Sequence, residues 1–149
     1  MGVREICTAE VVCCQPQTSA LEAARLMRRR HVGDVVVVND PQGERVPLGV
    51  VTDRDLVVEV LGNGRDASAV TLSELMRSPV VIAQDSEDLG AVIDRMRLHG
   101  VRRIPLVDEG GSLVGIVTLD DLLQSLLTDI RSLLESQTKA QRREQVARR

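Results

Sequence analysis

Phenylalanine, tyrosine and tryptophan are all absent from these 149 residues. Without aromatic rings there is no platform on which single-stranded nucleic acid can stack its bases. A purine bound here has to lie between aliphatic side chains. The core in turn has to be assembled from Val, Leu, Ile, Met and Ala. Histidine is scarce, and His31 and His99 stand too far from other metal-binding or nucleophilic side chains to suggest a metal site or a catalytic base, so neither is given a role. A surplus of positive charge is also missing. The net charge of −3 offers no general attraction to nucleic acid or to an anionic membrane. No apolar run approaches the 18 residues a membrane span needs, and Met1-Gly2-Val3-Arg4-Glu5 opens no signal peptide, so a cytoplasmic protein is expected. The three cysteines, Cys7, Cys13 and Cys14, are odd in number and fit no zinc-ligand spacing, which fits a reducing compartment. Cys13 and Cys14 follow Val11 and Val12 in an apolar run and read as small buried hydrophobes.

What is present is a repeat, and a repeat fixes architecture before any motif does. A shift of 69 lays Ile6-Cys7 on Leu75-Met76, Val11-Val12 on Val80-Val81 and Met27 on Met96. Ala20, Ala23, Ala24 and Met27 stand at i, i+3, i+4 and i+7, and their counterparts Leu89, Val92, Ile93 and Met96 repeat the spacing of an amphipathic helix. Apolar runs at residues 35–38 and 104–107 follow, each suited to a buried strand. Turns come next, at residues 39–43 and 108–111. The first loop is three residues longer, so beyond it the shift becomes 66. Loops accept such insertions at little entropic cost.

Each half therefore reads β-α-β-β-α, giving a mixed α/β (α+β) fold of two repeats related by a pseudo-twofold axis. The expected boundaries are a first repeat at 1–61, a polar glycine-bearing linker at 62–74, a second repeat at 75–127 and a helical extension with a basic tail at 128–149. The last helix carries Leu122, Leu123, Leu126, Leu127, Ile130, Leu133 and Leu134, a stripe too long for one half to cover. A homodimer partner is the first candidate, with an intramolecular return of the chain as the alternative. The final 14 residues carry five basic residues and one acid, which a solvated helix end explains without nucleic acid.

The chemistry-bearing pattern is also duplicated. Gly49-Val50-Val51-Thr52-Asp53-Arg54-Asp55 and Gly115-Ile116-Val117-Thr118-Leu119-Asp120-Asp121 each end a strand in Thr and place Asp three residues later. Each copy alone makes a helix cap, with Thr52 or Thr118 as N-cap and Asp55 or Asp121 in the first turn. The other reading is a hydroxyl and a carboxylate held at a strand-to-helix junction, where they can bind a ribose near helix donors for phosphate. No nucleophile with its base and no metal cluster accompanies them, so no catalytic residue is assigned and no enzyme is expected.

The doubled Thr-x-x-Asp pattern resembles the tandem cystathionine-β-synthase (CBS) domain pair, or Bateman module. So do Met96 to Asp108 and their counterparts from Met27 to Asn39. The resemblance runs over about residues 3 to 127 and is similar to small bacterial proteins consisting of a CBS pair and little else. It implies two clefts that bind adenosine-containing ligands: AMP, ADP, ATP, NAD(H) or S-adenosylmethionine. Carried over by position, Asp55 and Asp121 contact ribose, supported by Thr52 and Thr118, while Val11, Val12, Val80 and Val81 hold the base. Arg54, Arg102 and Arg103 are the phosphate candidates. For Arg102 and Arg103 a surface ion pair with acids such as Asp94 is the competing reading. The counterparts of Arg102 and Arg103 are Gly33 and Asp34, and that of Arg54 is Asp120, so the clefts are expected to be unequal. The implied function is a ligand sensor signalling to an effector protein in trans. A ligand-free dimerising scaffold is the alternative.

Overall fold

The computed structural model describes residues 1–148, and its first half assembles a three-stranded sheet. Strand β1 (Cys13–Cys14) runs parallel to β2 (Asp34–Val38), which pairs antiparallel with β3 (Pro47–Thr52). Helix α1 (Ala20–Arg30) forms the crossover. Ser19 caps it, accepting from the Glu22 N–H at 3.1 Å, while Glu22 reaches back to the Ser19 N–H, the reciprocal arrangement that satisfies otherwise orphaned donors. Ala20, Ala23 and Met27 are buried, so the face read from the 3.6-residue spacing is the face that packs. Helix α2 (Asp53–Asp55) continues as a π-helical segment, Leu56–Leu61.

The second half repeats this plan. It has β4 (Ala83–Gln84), α4 (Leu89–His99), β5 (Arg103–Val107), β6 (Leu113–Thr118) and the long α5 (Leu119–Ala147), with the same parallel and antiparallel pairings. Even the irregularities match, since the register slips between Val37 and Val38 in one sheet and between Leu106 and Val107 in the other. A short α3 (Leu72–Leu75) crosses the boundary drawn at 74/75 between the linker and the second repeat.

The halves exchange segments. Val3, from the 3-10 turn at Val3–Glu5, lies in the second half's core with Val92, Ile104 and Val117. Thr8 exchanges backbone hydrogen bonds with Ile116, both 2.9 Å, and Arg4 pairs with Asp85 at 2.7 Å. Reciprocally, Leu72 lies in the first half's core with Val35, Val37 and Val51. The duplicated glycine of the motif makes room for these crossings. A Cβ on Gly49 would stand 2.6 Å from Met76 Cβ, and one on Gly115 would stand 3.0 Å from Cys7 Sγ and 3.1 Å from the Thr8 carbonyl oxygen. Packing therefore assigns residues 2–8 to the second core and residues 70–76 to the first, across the boundaries drawn from the repeat alone.

Candidate functional site

In the first half, β3 ends at Thr52 and the chain turns into α2. Thr52 Oγ1 accepts from the Asp55 N–H at 3.2 Å, and Asp55 Oδ2 accepts from the Thr52 N–H at 2.8 Å. The second half repeats the box, with the Thr118 hydroxyl also donating to Asp121 Oδ2 at 2.9 Å. The cap reading of the motif is thus present in both copies. It engages only Oδ2, and Oδ1 of Asp55 makes no hydrogen bond among the described residues, so one carboxylate oxygen stays open to a second partner.

The surroundings of the two copies differ. Thr52, Arg54 and Asp55 share a cavity of about 270 Å³ with Val80, Val81, Arg102 and Arg103 from the second half. Seven of the predicted site residues therefore meet in one cleft between the repeats. The other four are not gathered. Thr118 lines a central crevice, Asp121 lines a groove with Met1 and Gln124, and Val11 and Val12 are half-buried against the first sheet, with the Val12 carbonyl accepting from the Val36 N–H. A separate depression of about 720 Å³ beside Cys13 and Thr18 holds neither copy of the motif.

Arg77 also lines the cleft, and the sequence reading missed it. Its counterpart is Thr8, so it stands outside the matched motif. The signal that could have found it is a cation three residues ahead of Val80, unmatched in the other repeat. Arg54, Arg77 and Arg102 make no ion pair among the described residues, whereas Arg103 is engaged by Asp34. These two are equivalent residues of the two repeats, facing each other at the pseudo-twofold axis. Asp34 of the first half thus neutralises a cation of the second. Burial pushes the Asp34 carboxyl up and the Arg103 guanidinium opposes that rise. Asp94, the expected surface partner, pairs with Arg97 at 2.7 Å.

The central crevice, about 620 Å³, joins the cleft through Thr52, Arg54, Arg102 and Arg103 and adds Asp34, Asp53 and Asp120. The cleft is thus a basic end with aliphatic walls, opening onto a region where acids balance the arginines. A guanidinium presents several donors in a planar fork suited to phosphate, and the walls offered by Val50, Val80 and Val81 suit a flat apolar ring.

Comparison with known proteins agrees with this plan. The CBS domain profile matches residues 3–62 and again residues 72–128. The chain is 35% identical to protein MK0525 of Methanopyrus kandleri over 83% of its own length, and it spans 62% of the length of that relative. It is 32% identical to hypoxic response protein 1 of Mycobacterium tuberculosis, covering 83% of each chain. The crystal structure of hypoxic response protein I, described with two coordinated zinc ions, superposes with a TM-score of 0.72 at 30% identity over 84% of this chain and 98% of that one. The fold is shared with PAE2072 of Pyrobaculum aerophilum, solved in complex with AMP, at a TM-score of 0.75, 21% identity, 89% of this chain and 99% of that one. With two profile matches, two matching sheets and a relative 32% identical over 83% of each chain, this chain is a member of the CBS domain family and contains a tandem pair of its repeats.

Proposed function

We propose that the chain is a regulatory module that binds an adenine nucleotide in the cleft between its repeats and conveys occupancy to an effector protein in trans. Three arginines that make no ion pair among the described residues, Arg54, Arg77 and Arg102, lining the cavity that holds Asp55 are the observation that carries this reading. The free oxygen of Asp55 takes the ribose hydroxyls, Val80 and Val81 take the base, and the arginines take phosphate. That PAE2072 is solved with AMP supports the ligand class. Among the adenosine ligands, those bearing phosphate fit better than S-adenosylmethionine, whose sulfonium would face the same cations. The second cleft has Thr8, Gly33 and Asp120 where the first has Arg77, Arg102 and Arg54, and we assign it no anionic ligand. The module acts as a cytoplasmic homodimer and performs no catalysis.

The reciprocal capping boxes favour a second reading, a ligand-free scaffold in which Asp55 and Asp121 serve only their helices. Thermal unfolding followed with an extrinsic dye separates the two. A nucleotide at 100 times its dissociation constant adds about 2.7 kcal/mol, a rise of roughly 5 to 10 °C for a chain of this size. The sensor reading predicts that rise with AMP or ADP and its loss in Arg77→Ala with Arg102→Ala. No rise with any of AMP, ADP, ATP or NADH leaves the scaffold.

A further inference from the structure

The cleft and the central crevice share Thr52, Arg54, Arg102 and Arg103, yet they differ in charge. Four arginines line the cleft, Arg54, Arg77, Arg102 and Arg103, against the single carboxylate of Asp55. In the crevice three of these arginines remain, and Asp34, Asp53 and Asp120 cancel them. The excess of positive charge therefore ends where the cleft opens inward. Arg103 is moreover committed to Asp34, whereas Asp53 and Asp120 make no ion pair among the described residues. The acids stand where the repeat would allow cations. Asp120 is the counterpart of Arg54, and Gly33 is the counterpart of Arg102. Asp53 closes on the place a side chain at Gly33 would take, since a Cβ there would stand 3.2 Å from Asp53 Oδ2. It is held by its other oxygen, which accepts from the Arg54 N–H at 2.8 Å.

We infer that the cleft is selective for nucleoside monophosphates, and that Asp53 and Asp120 set this limit by meeting any β- or γ-phosphate with carboxylates. The inference rests on the nucleotide reading of the cleft and adds to it the length of the phosphate chain. At about 270 Å³ the cleft lies just below the roughly 300 Å³ at which small-molecule pockets begin, so a longer chain of phosphates has to leave it. From a ribose held by Asp55, the way inward is the mouth at Thr52, Arg54 and Arg102 that opens on the crevice. Each phosphate past the first then brings negative charge into a region of no net charge, where it gives up hydration without gaining a cation. The pyrophosphate of a dinucleotide meets the same limit. Affinity falls from AMP to ADP to ATP.

Titration calorimetry of AMP, ADP and ATP, with EDTA present so that no divalent ion screens the phosphates, tests the limit in wild type and in Asp53→Asn with Asp120→Asn. The expected result for wild type is that order of affinity, with ATP at least about fivefold weaker than AMP. In the double variant AMP should stay within about twofold of wild type while the preference for AMP over ATP shrinks at least about threefold. Both side chains are exposed, and an Asn at 53 can keep the bond to the Arg54 N–H. Asp120→Asn alone should shift the preference in the same direction. No binding of any of the three to wild type overturns the nucleotide site itself. AMP binding with ATP as tight or tighter overturns the length limit alone. A preference unchanged in both variants, or loss of AMP from a folded variant, takes the limit away from Asp53 and Asp120.

Discussion

His31 ends α1 in the left-handed region, at φ 54°, and its counterpart in the second repeat, Gly100, ends α4 at φ 62°. The duplication thus preserved a backbone conformation that glycine adopts freely and a side chain does not. Replacing His31→Gly should stabilise the fold by up to about 1 kcal/mol, read as a raised urea midpoint with an unchanged slope; a lowered midpoint would mean that the imidazole makes a contact worth more than the strain. The reading of the apolar run holds for Cys14, whereas Cys13 is only half-buried. Cys14 is buried and its thiol is pushed up to about 11, chiefly by burial, and burial also raises Cys7 and Cys13. Since the thiolate is the nucleophile, this rise keeps Cys14 in its unreactive thiol form near neutral pH. Iodoacetamide should therefore leave Cys14 unmodified in the folded protein and alkylate it in urea. Rapid alkylation of the folded chain would contradict its burial.

Elements lock together through contacts that cross between the repeats. Any side chain at Gly49 meets Met76 where the chain enters the second half, so Gly49→Val should cost about 1 to 3 kcal/mol of stability, measured by chemical unfolding. An unchanged stability would mean that the crossing is loose. On the other sheet, Arg95 grips Glu87 from α4 at 2.8 and 2.9 Å, and the Gln84 N–H donates to Glu87 at 2.9 Å. The Arg95 hydrogen bonds lead in holding the Glu87 carboxyl below the usual range. A folded value below the unfolded one gives stability that is present above the unfolded value and is lost as pH falls through the folded one. Glu87→Gln should therefore be less stable at pH 7 and show a shallower loss of stability below about pH 5; equal acid limbs would remove Glu87 from the account. Both helices α1 and α4 and the paired long strands were legible in the sequence, because the burial periods of 3.6 and 2 survive in an aliphatic chain. Helix α3 and the exchange of segments were not. Val70, Leu72 and Leu75 make too short a pattern to declare a helix, and no local signal says that Leu72 belongs to the first core or Val3 to the second.

At the scale of the whole molecule, a duplicated fold has been made unequal by charge. The inequality of the clefts was legible, because Arg54 and Arg102 face Asp120 and Gly33 in the alignment of the repeats. Two parts of it were hidden. Arg77 lies outside the matched motif, and the Arg103–Asp34 pair exists only once the halves are set face to face. Isothermal titration of AMP into wild type, Asp55→Asn and Asp121→Asn tests the central claim, that a single nucleotide site lies in the cleft of Asp55. One site per chain is predicted, with affinity lowered at least about tenfold in Asp55→Asn and kept in Asp121→Asn. Two equal sites, loss in Asp121→Asn alone, or no binding heat with the wild type at several temperatures would contradict it.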